Sequence, residues 1–482
     1  MVGLMKTSSN ALSTYRRDLA RGGLDRWRKL LADNSKIVRK GGNLLASQLS
    51  LLDGIFRYFT KDRRPIFCVS APPASGKTHV ICLVSTDLAT CGVTTAVVAP
   101  SGELRRDLID GYRHIVSSPK SRLNLLTMKA FLKEREDYEV ALLDEAHNIR
   151  SSFELNPEIY RVLDISDLSP LVHGIVHDNR QRGLAKVIDG EGKESLLKIA
   201  YSARGYKWLG DIYHSRSKWI VTISHSSKGT QLHLMLADPE KRMITAKSST
   251  ILISATQLDD NELEFYCGIN PNDVSRLQLQ TDTPSDSRCR YFAPRDRIDD
   301  EFAMALAQEL LARRRVRALI LVNRPDTFRK WLQRLRDSTL RTRVIGVVGG
   351  GGEALRLRRF SQFMSREDSI LLTNSSVFWE GINIKQLGTL IITEQPNPRP
   401  TLVDVYNGRS MKFTHIIQNR MIQGMGRIGR TPNDDGLCLI LFPYKDDRVS
   451  QFGCDSASVR KTISQILKPP DVFTRPLKDL AG

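Results

Sequence analysis

The stretch PIFCVSAPPASGKTH, residues 65–79, leaves this 482-residue chain few choices of fold. Four apolar residues give way to small and polar ones, and the chain then reads Ala-x-x-x-x-Gly-Lys-Thr from Ala71 to Thr78. A buried strand that ends in small residues and feeds a helix lets backbone N–H groups wrap around phosphate oxygens. Lys77 can then reach the β- and γ-phosphates, the Thr78 hydroxyl can bind Mg2+, and the helix turns its positive end to the anion. Ala74, Ser75, Gly76, Lys77 and Thr78 are therefore expected to hold a nucleoside triphosphate, with Thr78 as a metal ligand.

The rest of the chain repeats the strand-then-helix pattern. TTAVVAPS, VALLDEA and STILISAT each read as a buried strand running out into small or polar residues, as in a parallel sheet with helices on both faces. A second series follows from about residue 300, in RALILVN, TRVIGVV, SILLTNS, GTLIITE and GLCLILF. Two α/β motor domains are expected: one over 45–150 and 247–290, the other over 291–482. Residues 151–246 show no comparable strand series and read as a mostly helical insertion in the first. Residues 1–44 form a basic helical segment, with ten Lys/Arg against three Asp in the first 41 positions and Leu24, Trp27, Leu30 and Leu31 at helical spacing. That segment reads as a nucleic-acid arm, a docking helix or a solvated helix.

Charge narrows the partner. The formal net charge is +19 and the sequence pI about 9.7, a surplus that favours a polyanion, most simply nucleic acid. Seven cysteines without a CxxC spacing argue against a disulfide framework or a zinc ribbon and for a reducing, cytoplasmic compartment, nucleoid-associated in a bacterium. No apolar run approaches the ~20 residues that span a bilayer, so no membrane partner is expected.

The stretch LLDEAHNI, residues 142–149, supplies what a phosphate loop with Mg2+ lacks. Asp144, at the end of an apolar strand, can hold the metal's water shell, and Glu145 beside it can polarise the attacking water. Three further stretches keep the order: ISAT (253–256), SSVFWEGINI (375–384) and QGMGRIGR (423–430), the last a Gln-x-x-Gly-Arg-x-x-Arg pattern. With LIITEQPNPRP after FWEG, the series resembles the motifs of a superfamily 2 helicase, in wording nearest the XPD/DinG branch, over about residues 45–445.

The resemblance implies two RecA-like domains, ATP and Mg2+ as cofactors, and 5′-to-3′ movement on single-stranded nucleic acid, DNA in that branch. It implies that His147, Ser254 and Thr256 couple nucleotide state to strand binding. It implies that Gly381, Gln423, Arg427 and Arg430 face the nucleotide, one of the two arginines as an arginine finger, since a guanidinium is permanently charged and can bridge two phosphate oxygens. Gln48, 29 residues before Lys77, takes the place of an adenine-reading glutamine. Ser101, Gly102 and Thr127 are candidate phosphate contacts, and Trp379, beside Phe378, a candidate base-stacking ring. Basic clusters at Arg313–Arg315 with Arg317, and at Arg356, Arg358 and Arg359, are candidate linings of the strand's track, or solvated helix faces.

Three departures qualify the resemblance. Only Cys82 and Cys91 lie between the phosphate loop and Asp144, against the four cysteines of the branch's iron-sulfur cluster, so no cluster is expected. Asn383 stands where the branch has an acid two residues after the glycine of Glu-Gly. The insertion, in the place of the branch's arch domain, carries no confirming motif. Other readings are a motor or switch subunit of a larger genome-defence or CRISPR-associated complex with protein partners, an RNA-remodelling ATPase, and a scaffold without hydrolysis. Lys77, Glu145 and Arg427 argue against the last.

Overall fold

The computed structural model describes residues 8–73, 75–116, 123–148, 160–168, 186–188, 190–214, 219–226, 229–236, 244–256, 258–260, 263–264, 268–279, 289–349, 352–380, 384, 386–397, 414–428, 435–453 and 459–467. The chain divides into two compact units, Met1–Asp282 with Pro398–Thr414, and Thr283–Asn397 with His415–Gly482.

The first unit opens with helices α1 (Ser8–Gly22), α2 (Leu24–Asn34), α3 (Lys36–Arg39) and α4 (Ala46–Lys61). Strand β1 (Ile66–Ser70) leads through the phosphate loop into α5 (Lys77–Thr90). Then come β2 (Thr95–Ala99), α6 (Gly102–Ile115), β3 (Leu123–Thr127), α7 (Met128–Glu134) and β4 (Val140–Leu143). The insertion supplies β5 (Tyr160–Asp164), β6 (Lys186–Ile188), α8 (Gly190–Arg204), α9 (Lys207–Tyr213), β7 (Trp219–Ser226) and β8 (Gly229–Leu236). The chain then returns to the first sheet as β9 (Ser249–Ser254) and β10 (Val274–Gln278).

That sheet is parallel throughout, in the order β10-β1-β9-β4-β2-β3. Strands β2, β4 and β9 are buried at every residue, which is why they read as unbroken apolar runs. Alternate residues serve two cores. Val97, Leu142, Ile251 and Ile253 face the cluster built with α4, α5 and α6, while Val98, Leu143 and Leu252 face the cluster built with α7. The register sets Ser70 beside Ser254 and Leu143 beside Leu252, so the ends of β1, β4 and β9 share one edge of the sheet.

Two expectations are corrected here. Among its described residues the insertion is not mostly helical: four strands form an antiparallel sheet in the order β5-β8-β7-β6. Alternate residues of its strands β7 and β8 serve different cores. Val221, Ile223, Leu232 and Leu234 pack on α8 and α9, whereas Ile220 and Met235 join the apolar cluster of the first parallel sheet. Nor is the basic N-terminal segment a solvated arm. Leu12, Tyr15, Leu19, Trp27 and Leu31 are buried in the core that contains α5, and the charges occupy the outward faces of α1 and α2.

The second unit contains β11 (Arg290–Pro294), α10 (Asp300–Arg313), β12 (Ala318–Leu321), α11 (Pro325–Arg336), β13 (Val344–Val347), α12 (Glu353–Met364) and β14 (Ile370–Thr373). It continues with α13 (Ser376–Glu380), β15 (Thr389–Ile392), α14 (Thr414–Met425), β16 (Leu437–Ile440), β17 (Val449–Phe452) and α15 (Val459–Leu467). Its seven strands are parallel, in the order β13-β14-β12-β15-β16-β11-β17. Two RecA-like α/β units, the first with a phosphate loop after its first strand, are the architecture the alternating pattern implies. No helix among the described residues is long and apolar enough to cross a membrane.

Candidate nucleotide site

The phosphate loop folds as its composition demands. Gly76 takes φ 77°, a left-handed conformation that a side chain disfavours. A Cβ there would also lie 2.2 Å from the Gln48 amide nitrogen, so glycine is required twice over. Lys77 is 8% exposed, and its Nζ donates to the carbonyls of Ala71 (2.9 Å) and Pro72 (3.1 Å), which holds the ammonium inside the loop. Thr78 follows in the first turn of α5, half-buried. Ser75 is buried, and its Oγ has no hydrogen-bond partner among the described residues.

Gln48 borders this loop, but its amide is engaged within the protein. Leu45 N–H donates to Oε1 (2.8 Å), and Nε2 lies 3.2 Å from His79 Nδ1. Because an amide nitrogen only donates, His79 Nδ1 accepts, and its Nε2–H donates to Ser35 Oγ at 3.1 Å. Burial holds the His79 pKa below its ordinary value, in keeping with an uncharged ring. Gln48, 5% exposed, thus walls the phosphate loop and ties it to the N-terminal helices, beside the place expected of an adenine-reading glutamine.

At the end of β4 the chain turns sharply. Glu145 takes φ 50°, left-handed for a residue with a side chain, and its N–H donates to Asp144 Oδ1 (3.0 Å). Such a conformation costs roughly 1–3 kcal/mol and persists where the surroundings enforce it, as at sites of chemistry. The Asp144 carboxyl is pushed well above its ordinary range, first by loss of water and then by the Glu145 carboxylate; Lys77 and His147 pull the other way. Glu145 Oε2 is buried without a hydrogen-bond partner, 3.4 Å from His147 Nδ1.

His147 carries this corner across to β9. The Asn148 amide nitrogen lies 3.0 Å from Nε2, so Nε2 accepts and the proton sits on Nδ1. Nδ1–H then donates to Ser254 Oγ (3.1 Å), which also accepts from Thr256 N–H (3.2 Å). Asp144, Glu145, His147, Ser254 and Thr256 are thus brought into one connected group beside Ser70 and the loop that follows it.

The donor set suits a magnesium nucleotide. Mg2+ keeps several waters and takes one or two protein oxygens besides phosphates. Asp144 and the Thr78 hydroxyl would hold it, and Ser75 Oγ and Glu145 Oε2 are buried without a hydrogen-bond partner among the described residues. No cluster of three or more His, Cys, Asp or Glu side chains able to bind a metal alone occurs among the described residues.

Within the second unit, Gln423 and Arg427 are each 4% exposed, and Arg427 Nε donates to the Trp379 carbonyl (3.2 Å). Ala74, Gly381, Asn383 and Arg430 lie outside the described residues.

No protein-family model matches the chain, and no curated protein sequence matches it. Solved structures do. Dbp5 of S. cerevisiae bound to RNA and ADP BeF3 is 14% identical, with 88% of this chain and 98% of that chain covered at a TM-score of 0.48. Mss116p bound to ssRNA and AMP-PNP is 11% identical, with 90% and 82% covered at 0.46. The Escherichia coli DEAH/RHA helicase HrpB is 13% identical, with 84% and 44% covered at 0.40.

The strand-contact expectations fare differently. Ser101 Oγ accepts from Leu104 N–H (3.3 Å) and Thr127 Oγ1 from Ala130 N–H (3.4 Å), so both hydroxyls cap helices, α6 and α7, with Gly102 the first residue of α6. Trp379 is 3% exposed, buried in the second unit's core against Gly424; the expectation that it stacks on bases is corrected, since the ring is enclosed by protein. Of the arginine cluster, Arg317 donates to the carbonyls of Met364 and Arg366, Arg314 to that of Gly388, and Arg313 pairs with Glu309. These cations serve the unit's own frame. Arg356 likewise donates to the Gly349 carbonyl (3.2 Å) and Arg359 to that of Gly346, while Arg358 is exposed.

Sequence reasoning missed His79 and Asp87. Asp87 is 4% exposed within α5 and accepts at Oδ2 from Tyr15 Oη (2.8 Å) and Trp27 Nε1 (2.9 Å). The available signal was a lone acid inside the apolar run VICLVSTDLA.

Proposed function

We propose that this chain hydrolyses ATP to move along, and remodel, single-stranded nucleic acid. The observation that carries the reading is the connected group Lys77, Asp144, Glu145, His147 and Ser254 at one edge of the first sheet. Lys77 neutralises the β- and γ-phosphates. Glu145 Oε2 orients a water and takes its proton as the water oxygen bonds to the γ-phosphorus and the bond to the ADP oxygen breaks. Thr78 and Asp144 would hold Mg2+, which would supply charge neutralisation on the phosphates. Arg427 and Arg430 are assigned to stabilising the transferred phosphoryl group on the chemistry of the guanidinium. His147 passes the state of Glu145 to Ser254 and Thr256, which gives hydrolysis a mechanical output.

The strand is assigned as DNA, and the direction as 5′ to 3′, by the resemblance of DEAHN and FWEG to the XPD/DinG branch. The charge of +19 supports a polyanionic track. ATPase measured in parallel with single-stranded DNA, single-stranded RNA and duplex tests the reading. Stimulation by single-stranded DNA is expected. Stimulation by RNA alone would reassign the strand, and no response to any nucleic acid would refute the proposal.

A further inference from the structure

Asp87 does more than receive two donors. Helices α1 and α2 meet at Gly22 and Gly23, and between them and the end of α5 the first unit holds a cavity of about 670 Å3. Its lining runs from the buried Tyr15, Leu19, Trp27 and Asp87 out to the exposed Leu30 and Cys91. Both donors to Asp87, Tyr15 Oη and Trp27 Nε1, reach the same oxygen, Oδ2. Oδ1 has no hydrogen-bond partner among the described residues, and it is not sealed from solvent. Asp87 is 4% exposed, and what it exposes lines this cavity, so the unused oxygen opens into it.

Charge and burial say what that oxygen accepts. The charged lining residues are Asp18, Asp33 and Asp87 against Arg21, Arg26 and Lys29. All but Asp87 are exposed, so the three cations and two acids at the mouth nearly cancel and are screened by water. None of the three cations makes a hydrogen bond or ion pair with a described residue, so none of them neutralises Asp87. Loss of water, then the Asp87 and Asp18 carboxylates, pushes the Cys91 thiol up to about 11, which sets both acids at one end of the cavity. Cys91 is the residue that ends α5, so this is also the negative end of that helix. A buried carboxylate oxygen without a donor, a second acid near it and a helix C-terminus behind them favour a positively charged N–H donor. No metal-binding cluster of His, Cys, Asp or Glu occurs among the described residues, so an organic cation suits this end better than a metal ion. Leu19 and Leu30 offer an apolar stem a wall, and the volume is that of a small-molecule site.

We propose that this cavity binds a small organic cation, a guanidine or primary amine on a short apolar stem, which donates an N–H to Asp87 Oδ1 with Asp18 near its charge. Asp87 stands ten residues beyond Lys77, roughly 15 Å along α5, so the site is separate from the nucleotide site and does not depend on the reading of the chain as a motor. The occupant binds only the folded arrangement of the three helices, and so holds α1 and α2 on α5.

The test uses the full chain. The probes are n-butylguanidinium chloride and n-butylurea, its uncharged counterpart of like shape, each titrated by calorimetry at fixed ionic strength. Saturable binding of the guanidinium and none of the urea is expected. Asp87→Asn, whose amide oxygen still accepts from Tyr15 and Trp27, is expected to weaken the guanidinium at least tenfold, and Asp18→Asn severalfold. Hydrogen exchange of α1 and α2 shows whether they stay docked in each variant. Asp18 is exposed, so Asp18→Asn decides the matter if Asp87→Asn loosens the helices. A capped arginine, N-acetyl-arginine N-methylamide, separates a free cation from the side chain of another protein. Absence of saturable guanidinium binding overturns the proposal. So does equal binding of the urea, or unchanged guanidinium affinity in the docked variant, since either would mark a cavity that takes only the apolar stem. A preference of tenfold or more for the capped arginine would make the cavity a socket for a partner's side chain and overturn its assignment to a free small molecule.

Discussion

Asp87 offers a sharp test of how the N-terminal helices are joined to the nucleotide site. It lies in α5, ten residues beyond Lys77, and its Oδ2 accepts from both Tyr15 Oη and Trp27 Nε1. Those donors are 5% and 4% exposed. Asp87→Ala leaves two buried donors without an acceptor. Each costs about 1–3 kcal/mol, so the change should loosen α1 and α2 by about 2–6 kcal/mol. Asp87→Asn behaves differently. Its amide oxygen has two lone pairs and can take both donors, and it sheds the cost of burying a charge, so the net change should stay within about 1 kcal/mol. The pH dependence has a definite sign. Burial raises the Asp87 pKa above its ordinary value of 3.8, against the pull of the two donors. Between 3.8 and the raised value the folded state binds more protons than the unfolded state, so Asp87 makes stability fall as pH rises through that window, and Asp87→Asn removes this slope. Hydrogen exchange of the α1 and α2 amides reports the local opening free energy directly. Wild-type protection in Asp87→Ala, or an undiminished pH slope in Asp87→Asn, would refute the argument.

Three further outcomes test the site. Glu145→Gln should abolish turnover while ATP affinity, measured by calorimetry, is kept, whereas Lys77→Ala should lose affinity itself because its charge meets the phosphates in the ground state; the reverse pattern would exchange their roles. Ser254→Ala removes the acceptor of His147 Nδ1–H, and should leave basal ATPase within a few fold while lowering its stimulation by single strands; equal loss of both would make Ser254 part of the hydrolytic site. Single-strand affinity should fall with salt at a slope of roughly −0.7 per neutralised phosphate in log K against log salt, and a flat response would turn the +19 charge toward another partner.

What could be read in the sequence follows from how local each signal is. Most strands of the two parallel sheets were legible because burial on both faces leaves unbroken runs such as VALL and LCLI, whereas β3, β10, β11 and β17, only partly buried, were not read. The phosphate loop and DEAH were legible because their chemistry requires fixed residue types at fixed spacing. The strands β7 and β8, WIVTISHS and GTQLHLML, were missed because Thr222, His225, Gln231 and His233 interrupt the apolar positions and hide an alternating pattern. The packing of the N-terminal helices was left open because the acceptor shared by Tyr15 and Trp27 lies 72 and 60 residues away. Ser101 and Thr127 carry a signal that is ambiguous for another reason. A hydroxyl that can bind a phosphate is equally the preferred cap of a helix, and composition alone does not separate the two uses.

The insertion's place in the core changes what it can do for a motor. A wedge that merely hangs on a motor domain could be removed without disturbing the sheet beneath it. Here Ile220, Met235 and Leu236 are 5% exposed or less and lie in the same apolar cluster as Leu143 and Leu252 of the parallel sheet. Leu143 immediately precedes Asp144, and Leu252 stands two residues before Ser254. Excising 151–246 would therefore uncover the face of β4 and β9 that holds the catalytic corner, and loss of hydrolysis would follow from loss of packing alone. The same continuity works in the other direction. A load applied to the insertion reaches β4 and β9 through close-packed side chains, with no flexible tether among these contacts to absorb it. An element packed against the strands bearing Asp144 and Ser254 is placed to follow changes at that corner, and point changes on its surface, rather than its deletion, are the way to separate any role of that surface from its structural one.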